Sequence, residues 1–426
     1  MSHIKDHPLR YELANELHAR PFPTLQVPST AAYLAIKPVS NAAKRDRSAD
    51  MAHLSDLLKR HGAPCPPADA THFSGKIGQH RLKWESHTEF VTYTAFSYAV
   101  SDRPFDPTDF EVFPADWLAQ APSARITSAL IRIVPATSDT QLMEEIANWF
   151  VPESAAVASV LGKAATIAGD FRIDTAGHLR FLVSVTPDIG EKDVGRIVQS
   201  LCEIETYKTM SMLGFSRVRT MSARMGHIDD QLGHLMKEMT GGKDTAEDTL
   251  DELLEVSAEL ESMAVDTSFR FGATSAYVKI VDQRITSLRE ERFAGRQTFA
   301  EFMTRRFLPA MRTVEATQKR LGTMADRAMR ASDLLRTRVD VTRSAQNQVL
   351  LENMDKRADL QLRLQKTVEG LSVVAISYYA VSLLGYMLFP LSVPLGISKV
   401  VMTAAITPVV VLGVWWMIRR VRMKIT

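Results

Sequence analysis

Two uncharged runs near the end of the chain stand out in its hydrophobic pattern. Residues 371–389 (LSVVAISYYAVSLLGYMLF) and 400–418 (VVMTAAITPVVVLGVWWMI) are each apolar or mildly polar throughout. A hydrocarbon core about 30 Å thick is crossed by roughly 20 such residues, at about 1.5 Å rise each. The pattern therefore predicts a transmembrane hairpin over 371–418. Upstream, branched and aromatic residues dominate Thr30–Lys37, Arg81–Thr88, Glu89–Val100, Arg125–Val134, Thr166–Ile173 and Leu179–Val185, which reads as strands. Lys44–Arg60 and Thr140–Phe150 repeat their apolar positions at helical spacing instead.

Proline usage marks where this mixture ends. Fifteen of the nineteen prolines fall in the first 187 residues, and the next is Pro309. Helix interiors exclude proline, so long helices are expected from about residue 190. The expected fold class is an α+β (or α/β) N-terminal domain followed by long all-α helices and the two-helix hairpin. The expected divisions are 1–189 (mixed cytoplasmic domain), 190–322 (helical domain), 323–370 (stalk helix), 371–418 (transmembrane hairpin) and 419–426 (basic tail).

Two of the helical stretches carry opposite charge. Asp244–Glu261 holds eight acids and no base, with Leu250, Leu253, Leu254 and Leu260 along a less charged side. Thr317–Lys366 holds eleven bases against six acids, 11 − 6 = +5, and Thr323–Glu369 lacks both Gly and Pro. The acidic helix is expected to pack on the basic stalk. A rod of this length needs other helices or copies of itself to cover it, so a homo-oligomer is expected. Its heptad pattern is broken over the polar stretch Asp340–Gln348.

Basic residues set the orientation. Lys356, Arg357, Arg363 and Lys366 precede the first span, Arg419, Arg420, Arg422 and Lys424 follow the second, and the connection carries only Lys399. Under the positive-inside rule both termini face the cytoplasm. The start, Met1-Ser2-His3-Ile4-Lys5, has no apolar core of a signal peptide. The lipid bilayer is thus the expected partner. A net charge of +2 gives no reason to expect nucleic acid, and two cysteines, Cys65 and Cys202, give no disulfide framework.

Candidate chemistry is sparse. Glu85, His87 and Glu89 would share one face of a strand, where two carboxylates and an imidazole could hold a divalent metal or move protons. A solvated strand face with paired charges explains the same triplet. Arg10 and Arg20 could clamp an anion. His227, Asp230 and His234 would line one side of a helix as a third, metal-type cluster. In the spans, Tyr378, Ser382 and Tyr386 share a face, as do Thr403 and Thr407; helix packing or a pore lining are the two readings. Neither span contains Asp, Glu, His, Lys or Arg, which argues against a proton relay. Phosphate-loop, dinucleotide, nucleophile-elbow and C-x-x-C motifs are absent from the sequence.

The segments His7-Pro8-Leu9-Arg10, Leu13-Ala14-Asn15-Glu16-Leu17-His18-Ala19-Arg20-Pro21, Trp84-Glu85-x-His87-Thr88-Glu89-Phe90 and Glu203-Ile204-Glu205-Thr206-Tyr207 resemble a bacterial family of membrane-anchored proteins, the domain-of-unknown-function family 3422. That resemblance spans nearly the whole chain and implies a membrane location, with no activity attached; the expected membrane is the bacterial inner membrane. The order of domains is also similar to the CorA family of magnesium channels, which would imply a ring of copies around a cation pore. The chain departs from that family at its Gly-Met-Asn signature, where it reads Leu384-Gly385-Tyr386-Met387-Leu388. The leading expectation is a membrane-anchored binding or scaffolding protein. A CorA-like cation or small-solute channel and a metal-dependent enzyme using Glu85, His87 and Glu89 stand as alternatives.

Overall fold

The computed structural model describes residues 4–16, 22–241, 245–392 and 398–425. After the short α1 (Arg10–Glu16) come β1 (Ser29–Lys37), α2 (Arg47–Arg60), β2 (His72–Ile77), β3 (His80–Ser86), β4 (Val91–Ser97) and α3 (Ala115–Ala119). Then follow β5 (Ala124–Pro135), α4 (Asp139–Trp149), β6 (Ala156–Val160), β7 (Ala165–Gly169) and β8 (Leu179–Val185). The remainder is helical apart from the two-residue β9 (Glu291–Arg292): α5 (Glu191–Gly241), α6 (Ala246–Leu288), α7 (Phe299–Arg306), α8 (Leu308–Ser392) and α9 (Lys399–Ile425). A mixed-sheet domain, long helices and a C-terminal pair of apolar helices therefore succeed one another, as the sequence pattern predicts.

The described strands form one nine-stranded sheet in the order β2-β3-β4-β1-β5-β8-β7-β6-β9. Only β5 and β8 run parallel; the other neighbours are antiparallel. Central β1 is buried at all nine positions, so it shows no alternation of apolar and polar residues. Its two faces have different cover. Ala32, Leu34 and Ile36 join Leu54, Leu57, Trp117, Leu142 and Ile146 in the core beneath α2–α4. Tyr33, on the opposite face, reaches Thr206 of α5. Helices thus lie on both sides of the sheet.

The chain divides into two compact units. The first holds residues 1–242 and 251–331, so the sheet, α5 and most of α6 belong together. The second holds 243–250 and 332–426. Within it Glu247 pairs with Arg343 of α8 at 2.8 Å, one contact of the expected acidic-helix and stalk pairing. Both side chains are exposed, so the pair contributes at most about 1 kcal/mol. Another acid of that helix, Glu259, is taken by Arg224 of α5 in the first unit. Asp244 lies outside the described residues.

Along α8 from Val341 to Val368 every residue is exposed, and the most apolar eighteen-residue stretches of α8 and α9 are only 6% buried. Both helices are long and apolar enough to cross a membrane. The Arg419 and Arg420 guanidinium groups lie over the Trp415 and Trp416 rings, with centroids at 5.1 and 5.2 Å. Each is a cation–π contact between residues one turn apart on the same helix.

Candidate functional site

A small cavity of mixed lining lies between α5 and the sheet face formed by β1, β3 and β4. It is lined by Tyr33, Lys83, Glu85, His87, Phe90, Cys202, Glu203, Thr206 and Tyr207, among others. Two segments that stood out in the sequence, Trp84–Phe90 and Glu203–Tyr207, therefore meet here although more than a hundred residues separate them. Pro23 closes one side. It can do so because α5 carries Gly195 at this point: a Cβ there would lie 1.6 Å from the Pro23 carbonyl oxygen.

The polar groups form a continuous chain. Lys83 Nζ lies 3.2 Å from the Glu85 carboxylate and donates to Gln199 Oε1 at 2.7 Å. Gln199 Nε2 donates to Glu203 Oε1 at 2.7 Å, and Arg284 of α6 donates to the other oxygen of Glu203. Tyr33 and Thr206 share a hydroxyl hydrogen bond of 2.5 Å. Each charge faces an opposite charge, as burial at a helix–sheet interface requires. The void itself is about 30 Å³, room for one or two water molecules.

The segment at the mouth of this cavity is held from two sides. β3 ends at Ser86, and a turn closed by the His87 N–H donating to the Phe90 carbonyl at 2.9 Å leads into β4. Arg45, its side chain 4% exposed, donates to Ser86 Oγ at 2.9 Å, to the His87 carbonyl at 2.5 Å and to the Thr88 carbonyl, while pairing with Asp50 at 2.7 Å. From the other side Arg270 of α6 grips the fully buried Glu89 carboxylate, and the Tyr277 hydroxyl donates to it at 2.8 Å. The His87 ring stacks on Phe90 at 4.5 Å, and Tyr207 meets Phe90 edge-on at 5.8 Å.

This turn corrects the expected strand face. Alternation stops at Ser86, so Glu89 leaves the line of Glu85 and His87 and points to α6. Glu85 and His87 remain together at the cavity, and Glu89 serves as a buried anchor for Arg270. Among the described residues no group of three His, Cys, Asp or Glu side chains converges as metal ligands. His227, Asp230 and His234 are exposed on α5, with His234 beside Glu238 at 3.3 Å. Arg10 is exposed and paired with Asp6 one turn back, while Arg20 lies outside the described residues. Ser382, Thr403 and Thr407 donate to the carbonyls of Tyr378, Lys399 and Thr403, so each hydroxyl is satisfied by its own helix. Tyr378 and Tyr386 are exposed.

Sequence reasoning missed Arg45, Arg270 and Tyr277, which stand alone in helical or loop stretches with no local motif around them. Burial pushes the Cys202 thiol and the Tyr33 hydroxyl well above their ordinary values, and both stay protonated at neutral pH. The arrangement fixes a turn and a helix; its chemistry is hydrogen bonding and ion pairing.

A family model described as "Protein of unknown function (DUF3422)" matches residues 5–425, so the chain belongs to that family. No curated protein matches the sequence.

Proposed function

We propose that this member of the DUF3422 family is a membrane-anchored binding or scaffolding protein, held by α8 and α9 in a bacterial inner membrane and working in assemblies of several copies. The observation that carries the reading is the exposure of two apolar helices. Leu371, Val374, Leu383, Met387, Val400 and Leu412 are each at least 61% exposed within the protein. At about 25 cal/mol per Å² of apolar surface, leaving them in water costs several kcal/mol, and a bilayer removes that cost. The core helix of a soluble domain would be covered by protein instead.

The basic residues on both sides of the hairpin support cytoplasmic termini. Association of copies is supported by the stalk. Leu350, Met354, Leu364 and Val368 are each at least 55% exposed and fall at a and d positions of one seven-residue repeat, with Arg357 and Gln361 between them. Copies anchored in one membrane share an orientation, which brings such stripes side by side in parallel. The small cavity, with its protonated thiol and paired charges, favours binding over catalysis.

Alkaline carbonate extraction of membranes tests the anchor: the full chain stays in the pellet and a chain ended at Lys366 leaves it. Reporters fused before Met1 and after Thr426 both read cytoplasm, and a tag at Pro394 is reached from outside. Extraction of the full chain by carbonate, or an inaccessible tag at Pro394, would sink the reading. The mass of the detergent particle tests assembly, and a single-chain mass removes that part.

A further inference from the structure

We propose that a second pocket, over β6, β7 and β8, binds a phosphate-bearing small molecule. Three hydroxyl residues line up there across neighbouring strands. Ser159 of β6 pairs with Thr166 of β7, and Thr166 pairs with Ser184 of β8. The row two residues away is Val157, Ala168 and Leu182, likewise in register and part of the core beneath α2–α4. Side chains two apart on a strand share a face, so the hydroxyl row lies on this same α4 side. The apolar floor of the core thus gives way, one row on, to a polar floor.

The Ser184 side chain is 2% exposed, and its Oγ has no hydrogen-bond partner among the described residues. A buried hydroxyl left unpaired is costly, so such a group in a pocket wall calls for a partner, which a bound ligand would supply. The rest of the wall indicates what. Lys163 and Arg292 supply two positive charges, and the start of α4 supplies the positive end of an eleven-residue helix. Lys163 lies 3.9 Å from Glu291 with its side chain 74% exposed, so it can swing to a ligand. Arg292 pairs with Glu301. Among the described lining residues Asp139 is the acid, and it would accept a hydroxyl from the ligand rather than touch its phosphate; Glu291, opposite Ser159 in register, is the partner of Lys163. The pocket volume is about 300 Å³, the lower end of the small-molecule range. A phosphate monoester carrying a hydroxyl matches donors, charge and size together.

The test is isothermal titration of the full chain, in phosphate-free dodecyl maltoside, with inorganic phosphate and with glycerol phosphate. Saturable binding of one ligand per chain is expected, tighter for glycerol phosphate because Asp139 gains a partner. Ser184→Ala should weaken it roughly tenfold and leave the melting temperature unchanged or higher, because no internal hydrogen bond is lost. A purely structural Ser184 would lower the melting temperature instead. Lys163→Gln should weaken binding at low salt and reduce its salt dependence. Dihexanoyl phosphatidic acid forms the second arm: competition by it extends the site to lipid headgroups, and its failure beside bound glycerol phosphate assigns a soluble ligand. Absence of saturable binding by both phosphates, or affinities unchanged in both variants, overturns the proposal.

Discussion

Arg270 and Glu89, 181 residues apart, meet in an ion pair whose carboxylate is fully buried. The contact fastens the turn between β3 and β4 to α6, and Tyr277, about two turns further along the same helix, completes the grip. Breaking a buried pair leaves one charge stranded, which costs about 3–5 kcal/mol. Glu89→Gln and Arg270→Met are each expected to lower the unfolding free energy by that order in urea titrations followed by Trp fluorescence. The double variant should recover a substantial part. Additive losses would show that the two residues act independently.

Tyr33 and Thr206 form the corresponding link between β1 and α5. Removing one hydroxyl strands its partner in a buried site, at about 1–3 kcal/mol. Tyr33→Phe and Thr206→Val should therefore each destabilise, while the double variant sits close to wild type. A coupling energy of about 0.5–3 kcal/mol from the double-mutant cycle is expected; a value near zero would refute the link.

Acid should destabilise the sheet domain through its buried histidines. His53, between the Tyr93 hydroxyl at 3.0 Å and the Trp117 carbonyl at 3.1 Å, is held below its ordinary pKa by burial, and His178 is lowered for the same reason. Both are neutral in the folded chain. As pH falls below about 6.5 the unfolded chain takes up protons that the folded chain refuses, so stability drops. Unfolding free energies at pH 7.5 and 5.5 should show this, and His53→Gln should flatten the slope. An identical slope in the variant would remove His53 as its source.

Glu290 has the opposite sign. Burial, partly offset by the Ala300 N–H donating to it at 2.9 Å, pushes its carboxyl up to about 7. The folded chain holds this proton more tightly than the unfolded one, so the contribution is present below about pH 4.5 and is lost as pH rises through 7. Glu290→Gln should become progressively more stable than wild type between pH 5 and 8, by about 1–3 kcal/mol at the upper end. A difference that does not change with pH would show that Glu290 does not titrate in this range.

Several features follow from local sequence alone. A run of nineteen uncharged residues is itself the property that a membrane span needs, so 371–389 and 400–418 are legible without a fold. Leu179–Val185 coincides with β8, because branched and aromatic side chains set strand preference locally. β6 escapes such reading: Ala156-Val157-Ala158-Ser159-Val160 is built of small residues and becomes a strand because β7 and β9 flank it. The same limit applies to the sites. Glu85, His87 and Glu89 look like one strand face until Arg45 and Arg270 fix a turn after Ser86, and neither arginine is near them in sequence. The Ser159–Thr166–Ser184 row exists only through the register of three strands, and the cavity under α5 only through that helix docking on the sheet. Period and charge act over a few residues and are written in the order of the chain. Register and docking are decided by contacts between distant segments, and for those the tertiary structure was needed.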